Sequence, residues 1–170
     1  MMLKAALAVT SCAGLLLALA AWARAESFAG PASVIDGDTI QVSGTLMQLM
    51  DIDAPGRDQF CVQAAGDAAW RCGEDATVAL LNLVGMAVVT CESEALDQFN
   101  RRLARCAVAG QDLAVALAEN GWAVPSENCV CEPVRAAAFR AQAAGLGIWT
   151  GPFALPWERP AVYYLGDFQD

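Results

Sequence analysis

The segment formed by residues 34–55 constrains the fold more strongly than any other part of the chain. In two stretches, residues 34–42 and 46–53, apolar side chains alternate with polar ones or flank Asp and Gly positions. A period of two is typical of half-buried strands, and the intervening Ser43-Gly44-Thr45 favours a reversal of the chain. The segment therefore predicts two antiparallel strands joined at Gly44.

This hairpin predicts a pair of neighbouring carboxylates. Folding at Gly44 brings Asp38, near the start of the first strand, close to Asp53 at the end of the second. Two adjacent carboxylates require a cation or a proton between them. Oxygen ligands suit calcium or magnesium, and a backbone carbonyl at a turn can add another ligand. The alternative is that residues 36–39, Asp-Gly-Asp-Thr, form an ordinary turn.

The helical pattern appears in three later segments. From Gly73 onwards apolar residues recur at intervals of three and four, and Gly85 ends the pattern. Residues 112–119 predict a second helix, with a glycine just past its end. Residues 132–143 predict a third, in which proline occupies the first turn, where it is tolerated.

Short strands are predicted between these helices. Residues 86–91 and 102–108 are apolar or alternating, and residues 92–100 between them are interpreted as a polar loop. Residues 26–32 are expected to be a lead-in to the first strand, because Gly30-Pro31 weakens regular pairing. Five short strands and three helices fit an α+β fold in which a small barrel carries helices on its flank, and periodicity alone does not choose this over another α+β arrangement.

The N-terminus has the pattern of a secretory signal. A short basic start is followed by an uncharged apolar run and by Ala23-Arg24-Ala25, a small-x-small cleavage site, so residues 1–25 are interpreted as a signal peptide. The alternatives are a membrane anchor, for which the run is short, and a lipoprotein box ending at Cys12. We expect a periplasmic or secreted protein without a membrane span once the signal is removed.

Charge argues against a polyanionic partner. The chain has a formal charge of −9, and removal of Lys4 and Arg24 with the signal makes the value about −11. Proteins gain affinity for nucleic acid from basic side chains that displace counterions, so this balance disfavours DNA or RNA as a partner. The sequence names no other partner, and we expect a monomer.

Six of the seven cysteines follow the predicted signal. An even number in an exported chain predicts disulfides, and the expected pairs are Cys61 with Cys72 and Cys91 with Cys106. A bridge between Cys129 and Cys131 is a less secure expectation, because residues two apart close a small strained ring. Strained bridges are more easily reduced. A zinc site is the alternative, although the chain has no histidine and no pair of Cys-x-x-Cys arms.

Several motifs in a fixed order resemble the staphylococcal nuclease-like (thermonuclease) family. The resemblance extends over about residues 33–156, and we interpret 26–156 as the domain and 157–170 as a C-terminal tail. It implies an OB-fold barrel of five strands. The motifs are Val34-Ile35-Asp36-Gly37-Asp38-Thr39, Ile52-Asp53-Ala54-Pro55, Cys72-Gly73, Asp97-x-Phe99-x-Arg101-x-Leu103-Ala104-x-Cys106, Asp112-Leu113 and Gly121-x-Ala123.

The resemblance implies an intact metal site but an incomplete catalytic site. Its calcium ligands correspond to Asp38, Asp53 and the backbone carbonyl of Ala54. Of its catalytic side chains, the second arginine corresponds to Arg101. The other two, an arginine and a glutamate, lie in a segment whose usual sequence in the family is Val-Arg-Leu-x-Gly-Ile-Asp-Ala-Pro-Glu. This chain has Gln48 in place of the arginine and Gly56 in place of the glutamate.

Two hypotheses follow for function. The first is an exported nuclease-like domain that keeps a Ca²⁺ site, has weak or no phosphodiesterase activity and acts in binding or structure. The second is an active calcium-dependent endonuclease that uses Asp58 or a metal-bound water without the usual base. Compensation by Arg57 or Asp58 would depend on the flexible Gly56 that precedes them. The family implies nucleic acid as substrate for the second. A thiol or redox protein centred on Cys129 and Cys131 is a third possibility.

Overall fold

The structure is a computed structural model in which residues 25–63, 65, 66, 68–127 and 129–158 are described. The predicted signal peptide and most of the predicted tail lie outside the described residues. The strands are β1 (Glu26–Val34), β2 (Thr39–Val42), β3 (Thr45–Leu49), β4 (Ile52–Asp53), β5 (Cys61–Val62), β6 (Ala69–Trp70), β7 (Val88–Leu96), β8 (Arg102–Val108), β9 (Gln111–Asp112) and β10 (Val124–Pro125). The α-helices are α1 (Cys72–Val84), α2 (Leu113–Glu119) and α3 (Glu132–Ala144).

Five strands close into a mixed barrel, as the sequence predicted. Their order is β3-β2-β1-β7-β8, and the barrel closes because β3 also pairs with β8. That last pairing is parallel and matches Met47 with Arg102 and Leu49 with Ala104, whereas the other barrel pairings are antiparallel. The expected α+β architecture of a five-stranded barrel with three helices is therefore confirmed.

The interpretation of residues 26–32 as a lead-in is wrong, because these residues belong to β1. Its first part pairs with β7, from Glu26 opposite Ser93 to Pro31 opposite Val88. Its last part, from Ala32 to Val34, pairs with β2. Proline has no N–H to donate, and Pro31 lies at the end of the β7 ladder, where one fewer donor is required.

The first predicted strand is also corrected, since a turn divides residues 34–42. Val34 ends β1, and Ile40 in β2 pairs with it in the antiparallel direction. The second predicted strand is divided as well, because β3 ends at Leu49 and β4 begins at Ile52. Only the reversal at Gly44, between β2 and β3, lies where the sequence placed it.

The predicted loop at 92–100 is mostly strand. β7 continues to Leu96 and pairs with β8 throughout, with an irregularity between Ser93 and Ala95. Ser93 is buried and its hydroxyl donates to the carbonyl oxygen of Ala95 at 3.2 Å. These residues form strand without apolar alternation because β8 pairs with them up to Leu96 and β1 pairs with them up to Ser93.

The three helices lie where their periodicity placed them. Asp112 is the N-cap of α2, and its side chain accepts a hydrogen bond from the Val115 N–H at 3.0 Å. Gly145 ends α3 in the left-handed conformation, with φ of 62°. Buried side chains of α1, α2 and α3 pack with the barrel strands in one hydrophobic core. No helix within the described part of the chain combines the length and hydrophobicity needed to cross a bilayer.

All three expected disulfides are present. Cys61 is bonded to Cys72 at the N-terminus of α1, and Cys91 to Cys106 across β7 and β8. The third bridge joins Cys129 to Cys131 just before α3. Trp70 lies beside a second hydrophobic cluster and contacts Trp122 edge to face at 6.2 Å between ring centroids.

Candidate functional site

The Asp-Gly-Asp-Thr run forms a tight turn between β1 and β2. The N–H groups of Ile35 and Asp36 both donate to the carbonyl oxygen of Thr39, at 2.9 and 3.3 Å. The N–H of Asp38 donates to a carboxylate oxygen of Asp36 at 3.2 Å. The turn interpretation is therefore correct for the backbone, and the turn places two carboxylates, Asp36 and Asp38, at one end of the barrel.

Asp38 is the buried acid of this site, with 7% of its surface exposed. One carboxylate oxygen accepts the Ala54 N–H at 2.9 Å, and the other accepts the Thr39 hydroxyl at 3.1 Å. Ala54 directly follows Asp53 at the end of β4. The structure thus brings together Asp38, Asp53 and Ala54, the three residues that the sequence assigned to a metal.

Burial makes the ionisation of Asp38 unfavourable. Burial is the largest cause that raises its pKa, and the negative charges of Asp36 and Asp53 raise it further, while the hydrogen bond from Ala54 lowers it. The net effect raises the pKa of Asp38 from 3.8 to about 7. Three neighbouring carboxylates form a donor set that fits a hard divalent cation, and calcium has this preference for oxygen ligands.

The Thr39 hydroxyl links the acidic cluster to the candidate catalytic residues. It accepts a hydrogen bond from Arg101 Nη1 at 3.1 Å and lies 3.2 Å from the Oε1 acceptor of Gln48. Gln48 lies opposite Thr39 in the β2–β3 ladder and beside Leu103 in the β3–β8 ladder. Barrel closure therefore places Gln48 and Arg101 next to Asp38, as the resemblance implied.

Arg101 is held in place by Asp97. Its Nε donates to one carboxylate oxygen of Asp97 at 2.6 Å, while the other accepts the N–H groups of Phe99 and Arg101, both at 2.8 Å. Burial raises the pKa of Asp97, but these hydrogen bonds and the positive charge of Arg101 outweigh burial and lower it. Arg101 is thus a fixed cation whose charge is partly neutralised by its partner.

Gly56 lies in a turn closely packed against α1. Its carbonyl oxygen accepts the Gln59 N–H at 2.7 Å. No side chain fits at Gly73, because a Cβ there would overlap the carbonyl group of Gly56. Arg57, beyond the glycine, donates from Nη1 to the carbonyl oxygen of Ile35 at 3.4 Å and so contacts the acidic turn. Asp58 is exposed, and its role as a substitute base stays a prediction.

Two residues of the site were not assigned a role from the sequence. Asp36 contributes charge to the cluster, and its position two residues before Asp38 in the same turn was the available signal. Asp97 orients Arg101, and its spacing of four residues from the arginine was visible in the motif. The positions that correspond to the family's nucleotide-stacking aromatics are near Glu127 and Cys129, and Cys129 is bonded to Cys131 instead.

A closed five-stranded barrel with three helices and a carboxylate cluster at the β1–β2 turn defines a staphylococcal nuclease-like domain. The chain belongs to this family: the family model described as staphylococcal nuclease homologue matches residues 46–151. Members of the family are generally calcium-dependent.

Among individual proteins, the chain is similar to the succinoglycan biosynthesis protein ExoI of Rhizobium meliloti (strain 1021). The two are 37% identical over 127 residues, which is 74% of this chain and 66% of the relative. The aligned region thus covers slightly less than two thirds of the relative's length.

Proposed function

We propose that the protein is an exported nuclease-fold module that binds a divalent cation and a partner and has at most weak phosphodiesterase activity. One observation carries this proposal: Gln48 occupies the position beside Thr39 and Arg101 where the family has an arginine. Phosphodiester hydrolysis needs cationic side chains to stabilise charge that grows in the transition state. A neutral amide supplies hydrogen bonds but no charge.

The other side chains described at the site do not replace the missing arginine and glutamate. Arg101 is ion-paired with Asp97, and Gly56 has no side chain to accept a proton from water. Loss of one preorganised charge stabiliser costs roughly 10²- to 10³-fold in rate, and loss of a positioned base roughly 10²- to 10⁴-fold. The two losses together support a binding role in which the fold and the acidic cluster are retained.

Charge and similarity guide the choice of partner. The formal charge of −9 disfavours nucleic acid. The similarity to a protein named for succinoglycan biosynthesis supports a search for the partner among components of such a process. Three disulfides support a location outside the reducing cytosol, in the periplasm or beyond.

Calcium should raise the melting temperature of the protein. A cation that binds only the folded state stabilises it by mass action, by about 1.4 kcal/mol at ten times the Kd, which corresponds to about 4 °C for a domain of this size. Differential scanning fluorimetry with EDTA or millimolar calcium measures the effect. The Asp53→Ala variant should show no rise. An equal rise in that variant, or no rise in the wild type, would contradict the proposed cation site.

An active calcium-dependent endonuclease is the second candidate, favoured by one contact. Arg57 reaches the carbonyl oxygen of Ile35, beside the acidic turn, and is placed to supply a second cation together with Arg101. In this alternative a metal-bound water acts without the usual base.

A sensitive fluorogenic assay on DNA and RNA distinguishes the two candidates. With calcium present, we expect cleavage by the wild type to equal the background given by Asp53→Ala, purified in the same way. Metal-dependent turnover that is abolished by Asp53→Ala would reject the binding role. In that case, loss of the same turnover in Arg57→Gln would assign it to the second candidate.

A further inference from the structure

Three potential metal ligands converge between the end of β3 and the start of α3. The sulfur atoms of Cys129 and Cys131 and a carboxylate oxygen of Asp51 all lie within 4.8 Å of one another. Both cysteines are buried, at 7% and 6% exposure. The Cys131 sulfur also lies 3.7 Å from the carbonyl oxygen of Asp51. Two thiolates and a carboxylate form a donor set for zinc, which favours sulfur ligands more than calcium does.

Asp51 is held in an unusual conformation at this place. Its φ is 72°, in the left-handed region that residues with a side chain seldom adopt, and the family pattern has glycine here. Its Oδ2 atom is buried without an aligned hydrogen bond. That atom lies 2.5 Å from Nη1 of Arg105, whose side chain is 58% exposed. A side chain kept at a position that favours glycine, with its carboxylate ion-paired to Arg105 beside two cysteines, indicates a local role for that carboxylate.

While the third disulfide is intact, its two sulfur atoms are bonded to each other and cannot bind a metal. It joins residues two apart, whereas the other two bridges have separations of 11 and 15 residues. A disulfide stabilises a fold less when it closes a shorter loop, so reduction of this bridge costs the fold least. Val130, between the two cysteines, is fully exposed, which places the bridge just beneath the surface, where a reductant approaches.

We propose that reduction of the Cys129–Cys131 bridge by a dithiol creates a zinc site formed by the two cysteines and Asp51. Each sulfur of the bridge gains one electron and one proton, and the dithiol becomes a disulfide. Zinc then displaces the two thiol protons and binds both thiolates and the carboxylate. Arg105 leaves Asp51 for solvent, and the fourth tetrahedral position takes water. This site is separate from the cation site at Asp38 and does not depend on the proposed function.

Cobalt, which reports tetrahedral sulfur ligation by its absorption, tests the proposal on the full chain. The protein is reduced with a dithiol, freed of reductant without oxygen and titrated with Co²⁺ and then Zn²⁺, while circular dichroism monitors the fold. We expect one equivalent of cobalt with a thiolate-to-cobalt charge-transfer band that zinc abolishes. The oxidised protein should give no band.

Three variants assign the ligands. The double variant Cys129→Ser/Cys131→Ser keeps the other five cysteines of the chain and should give no band after the same reduction. Asp51→Asn should weaken zinc binding by about tenfold or more, in line with the effect of lost metal-site interactions. Arg105→Gln should strengthen zinc binding, because it removes the cation that competes for Asp51.

The outcomes that overturn the proposal are distinct. A band of equal strength in the double serine variant would place the metal on other cysteines. Unchanged zinc affinity in Asp51→Asn would remove the carboxylate from the site. The absence of a band in protein whose thiols at 129 and 131 are shown to be free by alkylation would reject the site altogether. The site would also be rejected if circular dichroism showed that the protein unfolds before the Cys129–Cys131 bridge is reduced.

Discussion

Replacing Gln48 with arginine and Gly56 with glutamate in the same chain should raise its calcium-dependent phosphodiesterase activity by about 10³-fold or more. The arginine restores a preorganised cation, roughly 10²- to 10³-fold, and the glutamate a positioned base, roughly 10²- to 10⁴-fold. The two effects need not multiply, because catalytic groups that act together are not additive. Initial rates on a fluorogenic DNA substrate measure the gain.

The backbone conformation at both positions is compatible with these changes, although Gly56 itself is buried. Gln48 is half-buried and already lies beside the Thr39 hydroxyl, so an arginine there extends along the same surface. The φ of Gly56 is not positive, so the backbone there accepts a residue with a side chain. The neighbouring Gly73, by contrast, must stay glycine, and changing it would disturb the turn that carries position 56.

Single variants and a blocked variant serve as controls. Each single substitution should give a smaller gain than the pair, and adding Asp53→Ala to the pair should return activity to background. A folded double variant that binds calcium and stays inactive would show that the site differs from that of an active nuclease in more than two side chains. Calcium-dependent turnover by the wild type as fast as that of the pair would show that neither group is needed.

The second large effect concerns stability: Asp38→Asn should stabilise the metal-free protein at pH 8 but not at pH 4. In the unfolded chain the carboxyl ionises near its ordinary pKa of 3.8, while in the fold the pKa is raised to about 7. Between these values the folded state binds more protons, so the stability of the wild type falls as pH rises from about 4 to about 7.

The size of this effect follows from the two pKa values. Since a tenfold change in proton affinity corresponds to about 1.4 kcal/mol, ionising Asp38 in the metal-free fold costs on the order of 4 kcal/mol. Asparagine keeps an oxygen for the Ala54 N–H and carries no charge. Urea unfolding in EDTA at both pH values measures the free energy of unfolding, and Asp75→Asn, an exposed change outside the cluster, is the matched control.

Calcium should narrow the difference in stability between these two proteins at pH 8. The wild type gains stability at pH 8 when the cation neutralises the cluster, and the asparagine variant gains less because it lacks one ligand. A wild type whose stability in EDTA does not fall between pH 4 and pH 7 would show that Asp38 is not held against ionisation. An Asp38→Asn variant that is less stable than the wild type in EDTA at pH 8 would lead to the same conclusion.

The sequence predicted those parts of the molecule that depend on local patterns. The three helices were found because apolar spacing and glycines such as Gly85 define a helix without reference to the rest of the chain. The neighbouring positions of Asp38 and Asp53 were found because one reversal, at Gly44, brings them together. The cysteine count and the predicted elements gave the Cys61–Cys72 and Cys91–Cys106 bridges, while the bridge between Cys129 and Cys131 was left open.

The parts that depend on distant strands were not predicted. Residues 92–96 have no apolar alternation, and they are strand because β8 pairs with this stretch up to Leu96, while β1 pairs with its first part up to Ser93. The role of Thr39 as the link between Gln48 and Arg101 required the parallel pairing of β3 with β8. No local pattern in the chain encodes that pairing.

The way the barrel closes also has a consequence for how the protein folds. The β2–β3 hairpin joins residues close along the chain, whereas β3 meets β8 only after α1 and β7 have been placed between them. Contacts between residues far apart in sequence form slowly, because loop-closure entropy is lost before they form. The acidic half of the pocket can therefore assemble early, while Arg101 reaches it only at the slow step that completes the barrel.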